Sequence, residues 1–304
     1  MSGSLRPHPA LLAWERLGNP PSGRVCVEVM SQKEKASVYR LRGAGPAGSH
    51  VVAKQCSPEN AAVETKIYRD VLPSLPVSRV ELLGSSADDG AVWMFLMDAP
   101  GEKFSHTDPV HCAAVSAWLA AVHTGADGHD LLITLPHRDA EYFVGRLKLA
   151  RWQIRQRLET ESLDEHGRKV LTEVVRQCDE LEGRWDDLAE ACAAFPSTLV
   201  HGDFSALNIN VAFTSDGPAV YVFDWEKSGR GPVAVDCVRG LIPEAYHAVA
   251  ARQWPHLTTQ DVARMAAFGR ILRPLTHNWS KKKVEKIEDY YFHMNEAMKS
   301  VGWI

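Results

Sequence analysis

A long apolar run and a paired-cysteine motif are both missing from the 304-residue sequence. No segment approaches the roughly 18–20 apolar residues that a membrane-spanning helix requires, and the N-terminal stretch lacks the apolar region of a secretory signal. The six cysteines are scattered, without the Cys-x-x-Cys spacing of a zinc or redox site. We therefore expect a cytoplasmic protein with reduced thiols and no membrane contact.

Excess positive charge is also absent. The formal net charge is −4 at pH 7, so nothing favours a nucleic-acid backbone as a partner. Apolar residues make up 45% and charged residues 24%, which is ordinary for a globular protein with a full core. The length suggests one large domain or two ordinary ones. No feature of the sequence demands an obligatory protein partner.

Short alternating apolar segments occupy the beginning of the chain. The segments RVCVEVM, SVYRLRG and HVVAKQC predict an antiparallel meander. SPENAAVETKIYRDVL predicts a helix, with Ser57 as its N-cap and Pro58 in its first turn. Two further strands are predicted at RVELLG and AVWMFLMD. The N-terminal part should therefore be a sheet accompanied by a helix.

The pattern changes at DAPGEKF, where a Pro-Gly pair interrupts the chain. We therefore divide the chain into an N-terminal nucleotide-binding lobe 1–98, a hinge 99–101 and a C-terminal catalytic and substrate-binding lobe 102–304. Beyond the hinge the apolar spacing becomes helical. Amphipathic helices are predicted at 108–124, 141–160 and 168–190.

A small strand-rich island lies inside the helical half. The segments NINVAFT and AVYVFDWE are joined by a Ser-Asp-Gly turn, which predicts a hairpin. Asn208 precedes its first strand and Asp224 ends its second, so the hairpin should bring these two side chains together. Asp203 lies on the loop that leads in. Oxygen-bearing side chains grouped in this way are the ligands that a hard cation such as Mg²⁺ prefers.

The order His-x-Asp-x-x-x-x-Asn, followed by an apolar strand that ends in Asp, is typical of phosphoryl-transfer sites. In such sites one Asp orients the attacking hydroxyl and accepts its proton. The Asn and the second Asp hold Mg²⁺ against the phosphates, and waters complete the shell of the ion. The stretch LVHGDFSALNINV therefore predicts one half of a phosphotransferase site.

These motifs resemble the aminoglycoside phosphotransferase and choline-kinase-like family, which shares the protein-kinase fold. The segment His201–Asp203 with Asn208 matches the family motif His-Gly-Asp-x-x-x-x-Asn, and Asp224–Glu226 matches its following Asp-Trp-Glu. The resemblance implies an α+β, bilobal protein-kinase-like fold. It would have a small N-lobe of antiparallel sheet plus helix and a larger, mainly helical C-lobe.

The resemblance also implies a role for each matching residue. Asp203 would be the catalytic base, and Asn208 and Asp224 would bind Mg²⁺. A later Gly-Pro-x-x-x-Asp motif ends at Asp236, to which the resemblance gives a structural role, and His201 would support the loop.

The nucleotide site is implied in the same way by the first part of the chain. Lys54 would contact the α- and β-phosphates, with Glu64 as its ion-pair partner. The backbone groups of Met97 and Ala99 would meet the adenine of ATP, with GTP as an alternative co-substrate. The phosphate loop MSQKEKASVYR lacks the usual glycine, so Ser37 is the candidate hydrogen-bond donor there.

The implied function is an ATP-dependent O-phosphotransferase, a small-molecule kinase with an alcohol group as acceptor. An antibiotic or similar natural product is the favoured acceptor, and choline, homoserine or a sugar is the metabolic alternative. A non-catalytic pseudokinase is disfavoured because base, metal ligands and lysine are all present. A metal-dependent phosphoesterase would need further histidine ligands, and the sequence offers none at a suitable spacing.

Two features bear on the acceptor. An aromatic-rich C-terminal end, which includes Trp279 and Trp303, would suit a nucleoside or peptide antibiotic. Loop carboxylates would instead suit a cationic acceptor such as an aminoglycoside or an amino alcohol. The candidates for these are Asp127, Asp130, Asp139, Glu141, Glu244 and Asp261.

Overall fold

A computed structural model describes residues 8–19, 23, 25–33, 36–237 and 239–304. The chain forms two compact units, the first Met1–Phe104 with Leu207–Lys227 and the second Ser105–Ala206 with Ser228–Ile304. The predicted hairpin that carries Asn208 thus groups with the N-terminal unit. The lobe boundaries drawn from sequence at 99–101 stay a prediction.

The strands take these bounds in chain order: β1 Cys26–Lys33, β2 Ala36–Arg42, β3 Val51–Cys56, β4 Leu82–Asp88, β5 Ala91–Met97, β6 Glu102–Lys103, β7 Ser197–Val200, β8 Ile209–Thr214, β9 Gly217–Val222 and β10 Gly229–Pro232. The α-helices are α1 Pro9–Glu15, α2 Pro58–Lys66, α3 Pro109–Gly125, α4 Ala140–Thr160, α5 Glu165–Gly183, α6 Trp185–Ala194, α7 Pro243–Ala250, α8 Thr259–Leu272 and α9 Val284–Ser300. No helix in the described ranges has the length and apolar character needed to cross a membrane.

An antiparallel five-stranded sheet in the order β1-β2-β3-β5-β4 forms the main part of the first unit. Its core is built by period-two alternation, because Tyr39 and Leu41 of β2 point to the same side as Ala53 of β3 and Phe95 of β5. The short helix α1 covers this face, and the Trp14 indole N–H donates to the Ala44 carbonyl at 3.0 Å. Burying a side chain such as Phe95 stabilises the fold by about 1.5–3 kcal/mol.

Helix α2 begins where the sequence predicts. The Ser57 hydroxyl accepts the Asn60 backbone N–H at 3.3 Å, and Pro58 occupies the first turn. The helix continues through residues 67–71 as a π-helical turn, which buries Tyr68. This placement directs the Glu64 side chain into the interior of the unit, where it has no solvent exposure.

A second sheet of the first unit has the order β6-β8-β9. Strands β8 and β9 pair from Ile209–Val222 to Thr214–Gly217, and a two-residue turn at Ser215 and Asp216 joins them. Gly217 has φ +110°, a conformation that glycine adopts without strain. The predicted hairpin is therefore present.

Packed helices make up most of the second unit. Helix α3 packs on α7, α4 on α5, and α8 on α9, and β7 pairs with β10 in a small antiparallel ladder. The apolar stripe predicted on α4 is buried, including Phe143, Leu147 and Ile154.

Two sequence-based boundaries are corrected. The helix predicted at 168–190 is two helices, because the chain leaves helical geometry at Arg184, with φ −111° and ψ 22°. Gly183, a weak helix former, precedes this break. The strand predicted at RVELLG begins only at Leu82 and extends to Asp88, where a tight turn at Asp89 leads into β5.

Candidate active site

A buried lysine surrounded by carboxylates lies in the first unit. Lys54 on β3 forms an ion pair with Glu64 of α2, and its Nζ donates to Asp224 Oδ1 at 2.5 Å. Glu226 Oε2 lies 3.5 Å from the same Nζ and accepts the Asn60 side-chain amide at 3.2 Å. The predicted Lys54–Glu64 contact is therefore present, and Asp224 and Glu226 join it from a distant part of the chain.

Burial and the neighbouring charges shift the pKa values of Lys54 and Glu64. Burial lowers the pKa of Lys54, but the charges of Glu64, Asp224 and Glu226 outweigh it and raise that pKa above its ordinary value. Burial raises the pKa of Glu64 to about 7 although Lys54 opposes the shift. The cluster therefore holds a permanently charged ammonium beside a carboxyl group that titrates near neutral pH.

Asp224 stands in a strained backbone conformation. Its φ is +70°, in the left-handed region that residues other than glycine rarely adopt. The Asp224 backbone N–H donates to the buried Tyr68 hydroxyl at 3.3 Å, which helps to fix this geometry. Strain of this kind concentrates at functional sites, where the surrounding structure imposes it.

The hairpin brings Asn208 and Asp224 to the same end of the β8–β9 pair. Phe223 donates its backbone N–H to the Asn208 carbonyl at 3.0 Å, so Asp224 follows directly after the residue paired with Asn208. The hairpin therefore places the two residues at neighbouring backbone positions, whereas the convergence of their side chains and the binding of Mg²⁺ by them stay predictions.

The carboxylates that surround the Lys54 ammonium are oxygen donors of the type that also suits a hard cation. Carboxylate oxygens of Glu64, Asp224 and Glu226 lie within 4.8 Å of one another. One Glu64 oxygen, Oε2, is buried without a hydrogen-bond partner among the described residues. Mg²⁺ prefers oxygen ligands of this type.

Some backbone groups at the predicted hinge form hydrogen bonds to other described residues, and others do not. The Met97 N–H donates to the Glu81 carbonyl at 2.9 Å, so it is already engaged. The Ala99 carbonyl accepts the Asn210 side-chain amide at 3.0 Å. The Ala99 N–H forms no hydrogen bond within the described part of the chain, which leaves this donor for a ligand.

Ser37 lies within a strand rather than at a loop tip. It belongs to β2 and pairs with Gln32 on β1 and Gln55 on β3. Glu34 and Lys35 of the predicted phosphate loop lie outside the described residues. A phosphate contact by Ser37 stays a prediction.

The loop that carries Asp203 belongs to the second unit and is anchored by one buried carboxylate. Asp236 accepts the backbone N–H of His201 at 2.5 Å and that of Gly202 at 3.0 Å. The His201 ring is buried, and its Nδ1 accepts the Asp203 backbone N–H at 3.2 Å. Gly202 has φ +73°, which allows the sharp turn before Asp203. The contacts of Asp236 and His201 are those of loop supports.

Two further contacts of this loop region have no signal in the sequence. The Arg273 guanidinium donates to Asp203 Oδ1 at 2.6 Å, from just beyond the end of α8. Behind Asp236, the buried His123 ring contacts the Tyr246 hydroxyl at 2.8 Å and lies 3.5 Å from the Asp236 carboxylate. Neither contact is predictable from the sequence, because the residues are far apart along the chain and only the fold brings them together.

Several of the carboxylates that are candidates for binding a cationic acceptor form hydrogen bonds within the protein. Asp139 caps α4 by accepting the Tyr142 N–H, and Asp261 forms a capping box with Thr258. Asp127 accepts the Trp254 indole N–H at 2.9 Å. Trp279 is fully buried, so it belongs to the core of the unit rather than to a surface pocket.

Comparison with solved structures shows the fold. A thermostable mutant of aminoglycoside phosphotransferase APH(4)-Ia, in a ternary complex with AMP-PNP and hygromycin B, aligns with a TM-score of 0.60 at 16% identity over 95% of this chain and 98% of that one. Spectinomycin phosphotransferase APH(9)-Ia gives 0.58 at 10% identity over 91% and 93%. Choline kinase from Cryptosporidium parvum gives 0.58 at 12% identity over 92% and 91%. The predicted α+β protein-kinase-like fold is confirmed.

Sequence comparison is more specific about the family. No curated protein matches the chain in such a comparison. Residues 28–274, however, match the phosphotransferase enzyme family (APH). This match spans most of the chain, including most of β1, the Lys54 cluster, the Asp203 loop and α8. The chain therefore belongs to the phosphotransferase enzyme family.

Proposed function

We propose that the protein is an ATP-dependent O-phosphotransferase that phosphorylates a hydroxyl group of a small molecule. The observation that carries the proposal is the buried Lys54, which contacts both Glu64 and Asp224 in one unit. Family membership supports the transfer of a phosphoryl group. AMP-PNP in the APH(4)-Ia complex supports ATP, and the GDP complex of aminoglycoside 2′-phosphotransferase IIIa keeps GTP as an alternative.

Each residue of the first unit has a proposed task. Lys54 contacts the α- and β-phosphates, and Glu64 holds its ammonium in place. Asn208 and Asp224 would hold Mg²⁺, which when bound neutralises charge on the phosphates. The free Ala99 N–H and the Met97 carbonyl orient the base of the nucleotide. Ser37 donates a hydrogen bond to phosphate.

Asp203 is the proposed catalytic base. The acceptor hydroxyl oxygen forms a bond to the γ-phosphorus while the bond from that phosphorus to the β–γ bridging oxygen breaks. ADP leaves with the electron pair of the broken bond, and the hydroxyl proton passes to the Asp203 carboxylate. Asp236 fixes the loop backbone from behind, so the carboxylate is held before the acceptor arrives.

The favoured acceptor is an antibiotic or similar natural product. Hygromycin B and spectinomycin are bound by two of the structural neighbours, which supports this class. A metabolic alcohol is the second candidate, supported by the likeness to a choline kinase. The engaged state of Asp127, Asp139 and Asp261 weakens the argument for a cationic acceptor that these residues would bind.

Two substitutions separate the proposed roles. Asp203→Asn should lower kcat by about 10²–10⁴-fold, because a general base contributes rate of that size, while ATP affinity measured by calorimetry stays the same. Asp224→Asn should weaken Mg²⁺-dependent nucleotide binding itself. Asp216→Asn, in the exposed turn of the same hairpin, is the matched control. Near-wild-type turnover by Asp203→Asn would refute the role given to this residue.

A further inference from the structure

An arginine lies beside the proposed catalytic base. Arg273 Nη2 donates to Asp203 Oδ1 at 2.6 Å, and the two side chains are only 12% and 20% exposed. Both residues belong to the second unit. The guanidinium compensates the charge of Asp203, so any acceptor that approaches this carboxylate also approaches an arginine.

Arg270 adds a second guanidinium next to the first. It lies in the last turn of α8, and Arg273 continues the helical backbone with φ −55° and ψ −46°. Residues three apart on a helix are neighbours, with Cβ atoms about 5–6 Å apart. The Arg270 side chain therefore lies on the same face of the helix as the arginine that holds Asp203.

The charge of Arg270 has no partner in the described part of the chain. No acidic group there forms an ion pair or hydrogen bond with it, although the residue is half-buried. Burial lowers the pKa of Arg270, and no neighbouring carboxylate offsets this. A partly desolvated guanidinium without a counter-ion is a binding group for an oxyanion, because its planar fork matches a carboxylate or phosphate.

The two arginines thus differ in what they can do. Arg273 is committed to Asp203, whereas Arg270 is available to a ligand. The loop carboxylates Asp127, Asp139 and Asp261 each accept a hydrogen bond from another residue, and none of them forms an ion pair with Arg270 among the described residues. A polycation placed at Asp203 would meet these two positive charges, and an anionic group would be attracted by one of them.

We infer that the acceptor carries an oxyanion, a carboxylate or a phosphate, which Arg270 binds while the hydroxyl of the same molecule meets Asp203. The inference rests on the proposed function, since it assigns the acceptor of that reaction. Among the antibiotics and metabolic alcohols proposed above, it selects those that carry an oxyanion and disfavours polycationic ones. Arg270 is then a specificity-determining residue.

Binding can be measured apart from turnover. Wild type is saturated with a non-hydrolysable ATP analogue, so that the nucleotide site is filled, and titrated by calorimetry with 4-hydroxybutanoate, with neutral 1,4-butanediol and with inorganic phosphate. We expect the two anions to bind and the diol not to bind. The anion that binds with the higher affinity shows whether the site prefers a carboxylate or a phosphate.

Substitution assigns the binding to one residue. Arg270→Gln should weaken anion affinity by about tenfold or more, because a charge-assisted bidentate contact is lost. Arg264→Gln, on the exposed side of the same helix, is the matched control and should keep the affinity. Equal anion affinity in wild type and Arg270→Gln, or no anion binding by wild type, would overturn the inference. Neither result depends on phosphoryl transfer, so the proposed function is tested separately, by turnover.

Discussion

At the scale of single residues, the site of the first unit is defined by charge balance around Lys54. One ammonium faces the three carboxylates of Glu64, Asp224 and Glu226, so the group carries excess negative charge. Lys54 and Glu64 are buried and pair with each other, whereas Asp224 and Glu226 are partly exposed and carry the excess. The excess is consistent with the proposed binding of a cation beside the nucleotide phosphates.

The raised pKa of Glu64 predicts how stability depends on pH. Its pKa rises from 4.5 to about 7 in the folded protein. Between these values the native state keeps a proton that the unfolded chain has released, so the free energy of unfolding falls as pH rises through this window. The contribution is fully present below about pH 4.5 and lost above about pH 7.

Glu64→Gln tests this directly, because the amide does not titrate. The unfolding free energy of wild type minus that of the variant, measured by urea titration from pH 4 to pH 8, should fall steadily as the pH rises, because only wild type loses the contribution of Glu64. Glu59→Gln, exposed in the first turn of α2, serves as control for loss of a carboxylate. A pH-independent difference between wild type and Glu64→Gln would show that the pKa of Glu64 is not raised.

Sequence reveals only some of these residues. Lys54, Glu64, Asn208 and Asp224 are predictable because they stand at strand ends or at fixed spacing within motifs. Arg273 and Arg270 are not, since an arginine at the end of an amphipathic helix is ordinarily a solvated charge or a cap. Only the packing that places α8 beside the Asp203 loop gives them a role.

At the scale of elements, strand register decides where the hinge segment lies. Strand β6 pairs with β8, and Glu102 stands opposite Val211. Gly101 has φ +86°, and a Cβ there would collide with the Val211 carbonyl. The close approach of these two backbones fixes the segment that carries Ala99, and only glycine permits it.

Gly101→Ala should therefore destabilise the protein by about 2 kcal/mol or more, from the left-handed backbone and the collision together. It should also weaken ATP binding, because Ala99 is displaced. Gly145→Ala is the matched control, since Gly145 lies inside α4 with open space around it. That variant should gain about 0.5–1 kcal/mol. Equal unfolding free energies for both variants by urea titration would contradict the proposed constraint.

Helices and strands are largely predictable from the sequence where the apolar periodicity extends over many residues. The β8–β9 hairpin and helices α3 and α4 follow directly from alternation and from caps. The break between α5 and α6 is not predictable from the apolar spacing, because that spacing continues across Gly183 and Arg184 while the backbone leaves helical geometry there. The low helix propensity of a single glycine is too weak a signal to outweigh such a pattern.

At the scale of the whole molecule, the link between the two motif aspartates is short. Residues 225–235 run through a helical turn, strand β10 and a second helical turn before Asp236. A regulated protein kinase needs a longer activation segment there, both for a phosphosite and for a peptide platform. We therefore expect constitutive activity toward a small molecule and none toward proteins.

The most direct test of the central claim is acceptor-dependent phosphoryl transfer. ADP release is followed with Mg-ATP over a panel of antibiotics, amino alcohols, sugars, hydroxy acids and casein, and the product is located by ³¹P NMR. We predict ADP release that depends on a small hydroxyl compound, a new phosphate-ester signal in that compound, and loss of both in Asp203→Asn. ATP hydrolysis to inorganic phosphate without an ester, or phosphorylation of casein in place of the small compounds, would contradict the account.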